Sequence, residues 1–345
     1  MSFKVRIARP DRTIDVPAGT TILDSALDHG IDYPFGCQSG NCGACKSRLL
    51  KGRVRMRGHS EFALSTEEKA SGLILACRAV PLEACEVAWI EEDDLIVHPR
   101  RILSCKVIGL DDATHDIRRV RLGIASGGPF DFSAGQFASV TFEGCAPRDY
   151  SMANVPGDPI LEFHVRHSSS GTTSAYVARK LRLGDDVRVD GPFGASHLRE
   201  SHRGPIVAVA GGSGLAPIKS IVERALALAL PQPIHLYFGV RDARDLYLET
   251  HFAALAARHD NLRFTAVLSE GTGDGRRAGL VHEAVVADLD SFDGCKAYLA
   301  GPPAMVEEMA RLLERRGMRR LDIHADAFYT AAEMAAAGRK TGAEL

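Results

Sequence analysis

Apolar and polar positions alternate in short runs through the first ninety residues of this chain. Residues 3–8 and 12–16 each read as a strand of period two, turned back at Arg9-Pro10-Asp11. Thr20 or Thr21 is placed to cap a short helix over residues 22–29, which Gly30 ends. A loop dense in glycine and cysteine follows, then a strand at 45–50. Ser65-Thr66-Glu67-Glu68 spells a capping box for a second short helix. Residues 73–79 and 84–89 add two strands and complete a small α+β unit. From about 101 to 198 the period stays at two, with strands at 118–122, 136–142, 161–166 and 186–189 split by Gly, Pro and Asp turns. That series predicts an antiparallel β-barrel or sandwich. After Gly204 the texture changes. Apolar strands at 205–210, 235–240, 263–268 and 297–300 alternate with helical stretches at 217–230, 246–259 and 305–316. Such alternation predicts an α/β unit with a parallel sheet and helices on both faces.

The acidic run 91–94, followed by His98-Pro99, reads as a solvated linker. The expected division is therefore 1–92, a linker at 93–100, a barrel at 101–202, a parallel-sheet unit at 203–330 and a tail at 331–345 that carries no clear signal. At 345 residues, 45% hydrophobic and 25% charged, the chain has the composition of a multidomain globular protein. Its formal net charge of −2 gives no electrostatic case for nucleic acid or for an acidic membrane. The opening residues lack the apolar core of a secretory signal. No run of about 18 apolar residues occurs that could cross a membrane. These features lead to the expectation of a cytoplasmic protein.

Eight cysteines stand at 37, 42, 45, 77, 85, 105, 145 and 295, and four of them crowd the first unit. In a reducing cytosol, clustered cysteines are better metal ligands than disulfide partners. Cys37, Cys42 and Cys45 follow C-x4-C-x2-C spacing, with Cys77 far downstream, which is the plant-type [2Fe–2S] arrangement. Gly36, Gly40 and Gly43 would let backbone N–H groups turn toward the cluster sulfurs and help set its potential. A structural zinc site also uses four cysteines, but in two short pairs, whereas here the last one is alone. The remaining four cysteines read as inert small hydrophobes.

On these motifs the first ninety residues resemble a plant-type, β-grasp-like ferredoxin, and the rest resembles the ferredoxin–NADP reductase superfamily. In this order the chain is similar to the reductase components of bacterial ring-hydroxylating oxygenases, the naphthalene-dioxygenase group in particular. Arg148-Asp149-Tyr150-Ser151 matches the superfamily's R-x-Y-S flavin motif. Arg148 and Tyr150 project to one side of a strand, the guanidinium suited to a pyrophosphate and the ring to the isoalloxazine. Ser151 offers a hydroxyl to the flavin N5. Gly171, Thr172, Thr173 and Ser174 resemble the second flavin motif, a small-residue turn at a helix N-terminus. His164, Val165 and Arg166 would border the ring. By analogy the flavin is FAD rather than FMN.

Gly211, Gly212, Ser213 and Gly214, with Pro217, form a strand–turn–helix phosphate cradle that matches the family's G-G-x-G-x-x-P and not the usual G-x-G-x-x-G. Arg241, Asp242, Asp245, Leu246 and Tyr247 resemble the strand end that embraces the adenosine half. Gly301, Pro302, Pro303 and Met305 resemble the C-G-P-P segment beside the nicotinamide, with Ala300 in place of the cysteine. Ser269-Glu270 stands where NADPH-specific relatives carry Ser-Arg, which implies a preference for NADH, with Arg276 and Arg277 able to compensate in part. Phe328 is the candidate aromatic covering the flavin face. The resemblance implies hydride transfer near Ser151, single electrons leaving through the cluster, and a Rieske ferredoxin or the terminal oxygenase as acceptor. A di-iron phenol or alkane monooxygenase partner is the enzymatic alternative; a redox sensor is the non-enzymatic one. The aromatic substrate is not readable from this subunit.

Overall fold

The computed structural model describes residues 1–329 except 37, 41, 42, 62, 91–95, 97, 169, 170 and 271–275. They form two compact units, one of residues 1–97 with Tyr329, the other His98–Phe328.

The first unit contains β1 (Ser2–Ile7), β2 (Arg12–Pro17), α1 (Ile22–Asp28), β3 (Lys46–Lys51), β4 (Val54–Met56), α2 (Thr66–Ala70), β5 (Leu73–Leu75), β6 (Ala79–Pro81) and β7 (Cys85–Trp89). Its sheet runs β2-β1-β7-β3-β5, with β1 and β7 parallel and the other pairs antiparallel. Period two explains the core: Val5, Ile7, Ile14 and Val16 face inward and meet Ile22, Leu23 and Ala26 of α1. Burying each Val, Ile or Leu contributes roughly 1.5–3 kcal/mol. Thr21 caps α1 by accepting from the Asp24 N–H at 3.2 Å, and Ser65 and Glu68 close the expected capping box on α2. The strand expected over 73–79 divides in two. The Arg78 N–H donates to the Leu75 carbonyl at 2.8 Å, forming a turn at Cys77, and β6 then pairs with β4 instead of extending β5.

The second unit begins with β8 (Arg101–Asp112), β9 (Ile117–Ser126), β10 (Phe137–Phe142), β11 (Arg148–Ser151), β12 (Ile160–Arg166), α3 (Thr172–Arg179) and β13 (Asp186–Phe193). These strands form an antiparallel sheet ordered β11-β10-β13-β8-β9-β12. A bridge between Met152 and Phe163 joins its two edges, so the sheet is nearly closed as a barrel. Then come β14 (Ile206–Gly211), a 3₁₀ turn Gly212–Gly214, α4 (Leu215–Ala227), β15 (Ile234–Val240), α5 (Glu249–Arg258), β16 (Leu262–Leu268), β17 (Arg277–Ala278), α6 (Val281–Asp288), β18 (Lys296–Gly301), α7 (Pro303–Arg315) and β19 (Ile323–Ala327). All pairs in this sheet are parallel, in the order β17-β16-β15-β14-β18-β19. Every residue of β14 is buried, as its continuous apolar run requires of a central parallel strand. The chain leaves β14 toward β15 and later returns to its other side as β18, so the crevice at their carboxyl ends is a topological switch point. Helix α4 also reaches the barrel. Lys219 Nζ donates to the Ala153 carbonyl at 2.9 Å and Ser220 Oγ to the Asn154 carbonyl at 2.7 Å, all in the interior.

Candidate functional site

In the first unit, Cys45 directly precedes β3 and Cys77 follows β5 by two residues. Lys46 pairs with Leu75, so the register brings the two cysteines to one end of the sheet. Both are buried. The Ala76 N–H donates to the Cys45 carbonyl at 3.1 Å and holds their backbones together. Cys37 and Cys42 lie outside the described residues. Gly40 has φ +81°, and a side chain there would meet Arg78 Cγ at 2.8 Å and His59 Cβ at 2.9 Å, so only glycine fits this loop. Two buried thiols at one end of the sheet, beside a glycine-turned loop, suit soft iron–sulfur ligation rather than a hard cation. Elsewhere burial pushes the Cys105 thiol up to about 11 and also raises Cys85 and Cys295, which keeps these thiols protonated and unreactive.

In the second unit, β11 pairs with β10 through Val140 and Arg148, and Ala138 and Tyr150. Arg148 is exposed and donates only to the neighbouring Pro147 carbonyl, at 3.0 Å; among the described residues no carboxylate engages it. The Tyr150 ring packs edge-on against Phe142 at 6.5 Å, and burial pushes its hydroxyl pKa up to about 12. Gly171 is the N-cap of α3, and no side chain caps that helix. Thr173 Oγ1 donates to the Ala146 carbonyl at 3.3 Å and Ser174 Oγ to the Gly171 carbonyl at 3.1 Å, while Thr172 is exposed. A guanidinium that no described carboxylate neutralises and a helix start that no side chain caps fit the pyrophosphate of FAD. Val165 is buried in the barrel core, and the His164 side chain turns wholly inward.

The parallel sheet opens on a cavity of about 250 Å³ at the carboxyl ends of its strands. Gly211, Gly212, Pro302, Met305 and Arg241 line it, and so does Ser269 at the end of β16. Gly211 and Gly301 allow the turns after β14 and β18 to touch: a side chain on Gly301 would lie 2.7 Å from the Gly211 carbonyl oxygen. Gly214 is packed against the Ala300 carbonyl, Ser213 is half-buried, and Pro217 lies buried in the first turn of α4. Pro303 occupies the first turn of α7 after Pro302. Arg241 pairs with Asp245 through two contacts of 3.0 and 3.2 Å, and Asp242 caps the next turn by accepting from the Arg244 N–H. These glycines, N–H groups and guanidinium groups fit a dinucleotide.

Barrel and sheet share this cavity. Asp116, Ile117 and Arg166 come from the barrel, with Arg166 Nε donating to Asp116 at 2.8 Å. Ser151 Oγ donates to Asp326 Oδ2 on β19 at 3.3 Å, and the Phe328 N–H donates to the Gly301 carbonyl at 2.9 Å. Sequence reasoning did not single out Asp326 or Asp116. The only available signal for Asp326 was a carboxylate at the end of a strand in an α/β unit. Tyr247, grouped with the adenosine-binding residues, has its hydroxyl turned inward to the Gly212 carbonyl at 3.3 Å and to His164 at 2.9 Å. Arg276 and Arg277 are held by Glu249 and Asp288 respectively.

Comparisons with known proteins cover all three parts. A 2Fe-2S iron-sulfur cluster binding domain matches residues 5–82, an oxidoreductase FAD-binding domain 104–198 and an oxidoreductase NAD-binding domain 208–311. The chain is 43% identical over 317 residues to the ferredoxin–NAD(P)+ reductase component of naphthalene 1,2-dioxygenase/salicylate 5-hydroxylase systems from Ralstonia sp., covering 92% of this chain and 95% of that one. It is 34% identical over 341 residues to the reductase component of phenol 2-monooxygenase from Pseudomonas sp. strain CF600, covering 96% of each. Among solved structures, Amycolatopsis cytochrome P450 reductase GcoB matches with a TM-score of 0.78 at 39% identity, over 95% of this chain and 99% of that one.

Proposed function

The chain belongs to the family of oxygenase reductase components that join a [2Fe–2S] domain to an FAD- and NAD-binding module, and on that premise we propose that it passes electrons from NADH to a Rieske ferredoxin or a Rieske-type aromatic ring-hydroxylating oxygenase. Bound FAD accepts a hydride as an electron pair and can release electrons singly, and a [2Fe–2S] cluster carries one at a time. Cys45 and Cys77, with Cys37 and Cys42, are the cluster ligands in this reading. Arg148 and the open start of α3 hold the flavin pyrophosphate, and Tyr150 offers its ring. Residues 211–214 receive the pyrophosphate of NADH, and Pro302 and Met305 wall the nicotinamide end. Asp326 accepts the Ser151 hydroxyl hydrogen and so orients that group at the reacting edge.

The observation that carries this reading is the shared wall: one cavity is lined by Arg166 of the barrel and by the glycine turn of the parallel sheet. Two cofactor modules that open on one seam can exchange a hydride without water between them. The ion pairs of Arg276 and Arg277 support NADH over NADPH, because neither guanidinium is left to meet a 2′-phosphate without giving up a carboxylate. The test is anaerobic titration with NADH, followed by transfer to a purified Rieske ferredoxin and, separately, to a di-iron hydroxylase. Rapid bleaching of the flavin and reduction of the Rieske protein alone is the expected result. Reduction of the di-iron protein alone would favour the phenol or alkane monooxygenase reading, and equal kcat/KM for NADH and NADPH would remove the cofactor preference.

A further inference from the structure

A line of buried polar groups crosses from the barrel to the glycine turn. Arg119 Nη2 on β9 donates to Glu162 Oε2 on β12 at 3.1 Å, and Lys219 Nζ lies 3.8 Å from the other carboxylate oxygen. His164 Nε2, also on β12, lies 2.9 Å from Glu162 Oε1, and its Nδ1 lies 2.9 Å from the Tyr247 hydroxyl. That hydroxyl is in turn 3.3 Å from the carbonyl oxygen of Gly212. The His164 side chain has no exposed surface, and Tyr247 is 5% exposed. Phe238 on β15 fixes the Tyr247 ring from the side, edge-on at 5.6 Å.

The chemistry sets the direction of each hydrogen. Burial alone would raise the Glu162 pKa, but the His164 hydrogen bond and the charges of Lys219 and Arg119 override it and hold the carboxylate ionised. Burial lowers the His164 pKa, so the ring is neutral and carries one N–H. An ionised Glu162 can only accept, so that hydrogen sits on Nε2 and leaves Nδ1 with a lone pair. The Tyr247 hydroxyl must therefore donate, its single hydrogen shared between His164 Nδ1 and the Gly212 carbonyl. Two residues along β12, the Arg166 guanidinium lies 3.3 Å from where a Cβ on Gly212 would stand. The barrel strand thus approaches the turn at two points, at its carbonyl by way of Tyr247 and beside the Gly212 α-carbon with Arg166.

We propose that Tyr247 is a positioning residue for the pyridine nucleotide, locking the glycine turn to the flavin-side strand through His164 and Glu162. The proposal rests on the reading of residues 211–214 as the NADH turn. It concerns how that turn is held with its N–H groups toward the cavity, and Tyr247 itself touches no reacting atom.

The test uses flavin-replete full-length protein with ferricyanide as acceptor and compares Tyr247→Phe, His164→Leu and the double variant. Tyr247→Phe keeps the ring and its packing, and it should raise KM for NADH about tenfold, equivalent to about 1.4 kcal/mol, while kcat changes less than twofold. His164→Leu should do the same, and the double variant should be no worse than either single one, because all three break the same link. A KM for Tyr247→Phe within twofold of the parent overturns the proposal, as does a double variant whose losses multiply to about a hundredfold. Tyr247→Phe decides the matter alone should His164→Leu fail to retain FAD. If the parent protein itself takes no electrons from NADH, the assignment of the turn fails instead, a different result from a normal parent with an unaffected variant.

Discussion

Ser151 and Asp326 lie 175 positions apart in sequence, yet the serine hydroxyl donates to the aspartate carboxylate at 3.3 Å, joining the last residue of β11 to the end of β19. Ser151 is buried, so its hydrogen has few alternatives to this acceptor. Ser151→Ala removes a hydrogen bond at the reacting edge without opening a large cavity. Flavin reduction by NADH in stopped flow should slow about 10- to 100-fold, the effect of losing an interaction of about 1.4–3 kcal/mol in the transition state. An unchanged rate would strip Ser151 of that role.

Arg148 is an exposed guanidinium that no described carboxylate engages, standing on the strand that leads to Ser151. Arg148→Ala should weaken FAD retention about 10- to 100-fold, as a lost charge-assisted bond to phosphate would. The measurement is flavin released during dialysis, with thermal unfolding of the apo protein as the control. Normal retention would move the pyrophosphate elsewhere.

Cys77 sits buried in the turn between β5 and β6, at the same end of the sheet as Cys45. Cys77→Ser should abolish the iron–sulfur absorption and cut NADH-driven cytochrome c reduction at least tenfold, because a hydroxyl is a poor ligand for this soft site. Ferricyanide, which can take electrons from flavin directly, should still be reduced. Iron analysis showing full occupancy in the variant would exclude Cys77 as a ligand.

His324 on β19 stacks on Tyr298 with ring centroids 5.1 Å apart, and its Nε2 is buried without a hydrogen-bond partner. Burial, and then the nearby charges of Arg199 and Lys296, hold its pKa well below 6.5. The unfolded chain therefore binds a proton at a pH where the native fold does not. Stability from this group is complete above about pH 6.5 and falls by up to about 1.4 kcal/mol per pH unit below it. Buried neutral His164 adds to the same slope. His324→Phe keeps a stacked ring and should flatten part of the acid-side decline in urea unfolding between pH 5 and 7. An identical profile would show that His324 titrates alike in both states.

Much of this architecture is legible from local sequence, because its signals are local in cause. Ser65 and Glu68 close a capping box within one helical turn, and the apolar run of β14 followed by glycines needs no distant partner to be recognised. The turn at Cys77 defeats the same logic: the apolar run continues from 73 to 77 and resumes at 79, but the chain bends there and β6 finds β4. What joins the site is less visible still. His164 and Tyr247 are 83 residues apart, and nothing in either neighbourhood announces the other. A buried histidine two positions from a glutamate on a strand also reads as plain core until the third partner is known.

Lys219 and Ser220 give the molecule an unexpected constraint on recombination. Reductases of this kind invite module exchange, in which the nucleotide-binding half of one protein is grafted onto the flavin half of another. Here α4 supplies the donors that satisfy the interior carbonyls of Ala153 and Asn154, both of which belong to the flavin half. A graft carrying apolar side chains at those two positions would strand both oxygens away from water, at roughly 1–3 kcal/mol each. Chimeras that keep this lysine–serine pair should therefore be recovered as soluble yellow proteins far more often than chimeras that lose it.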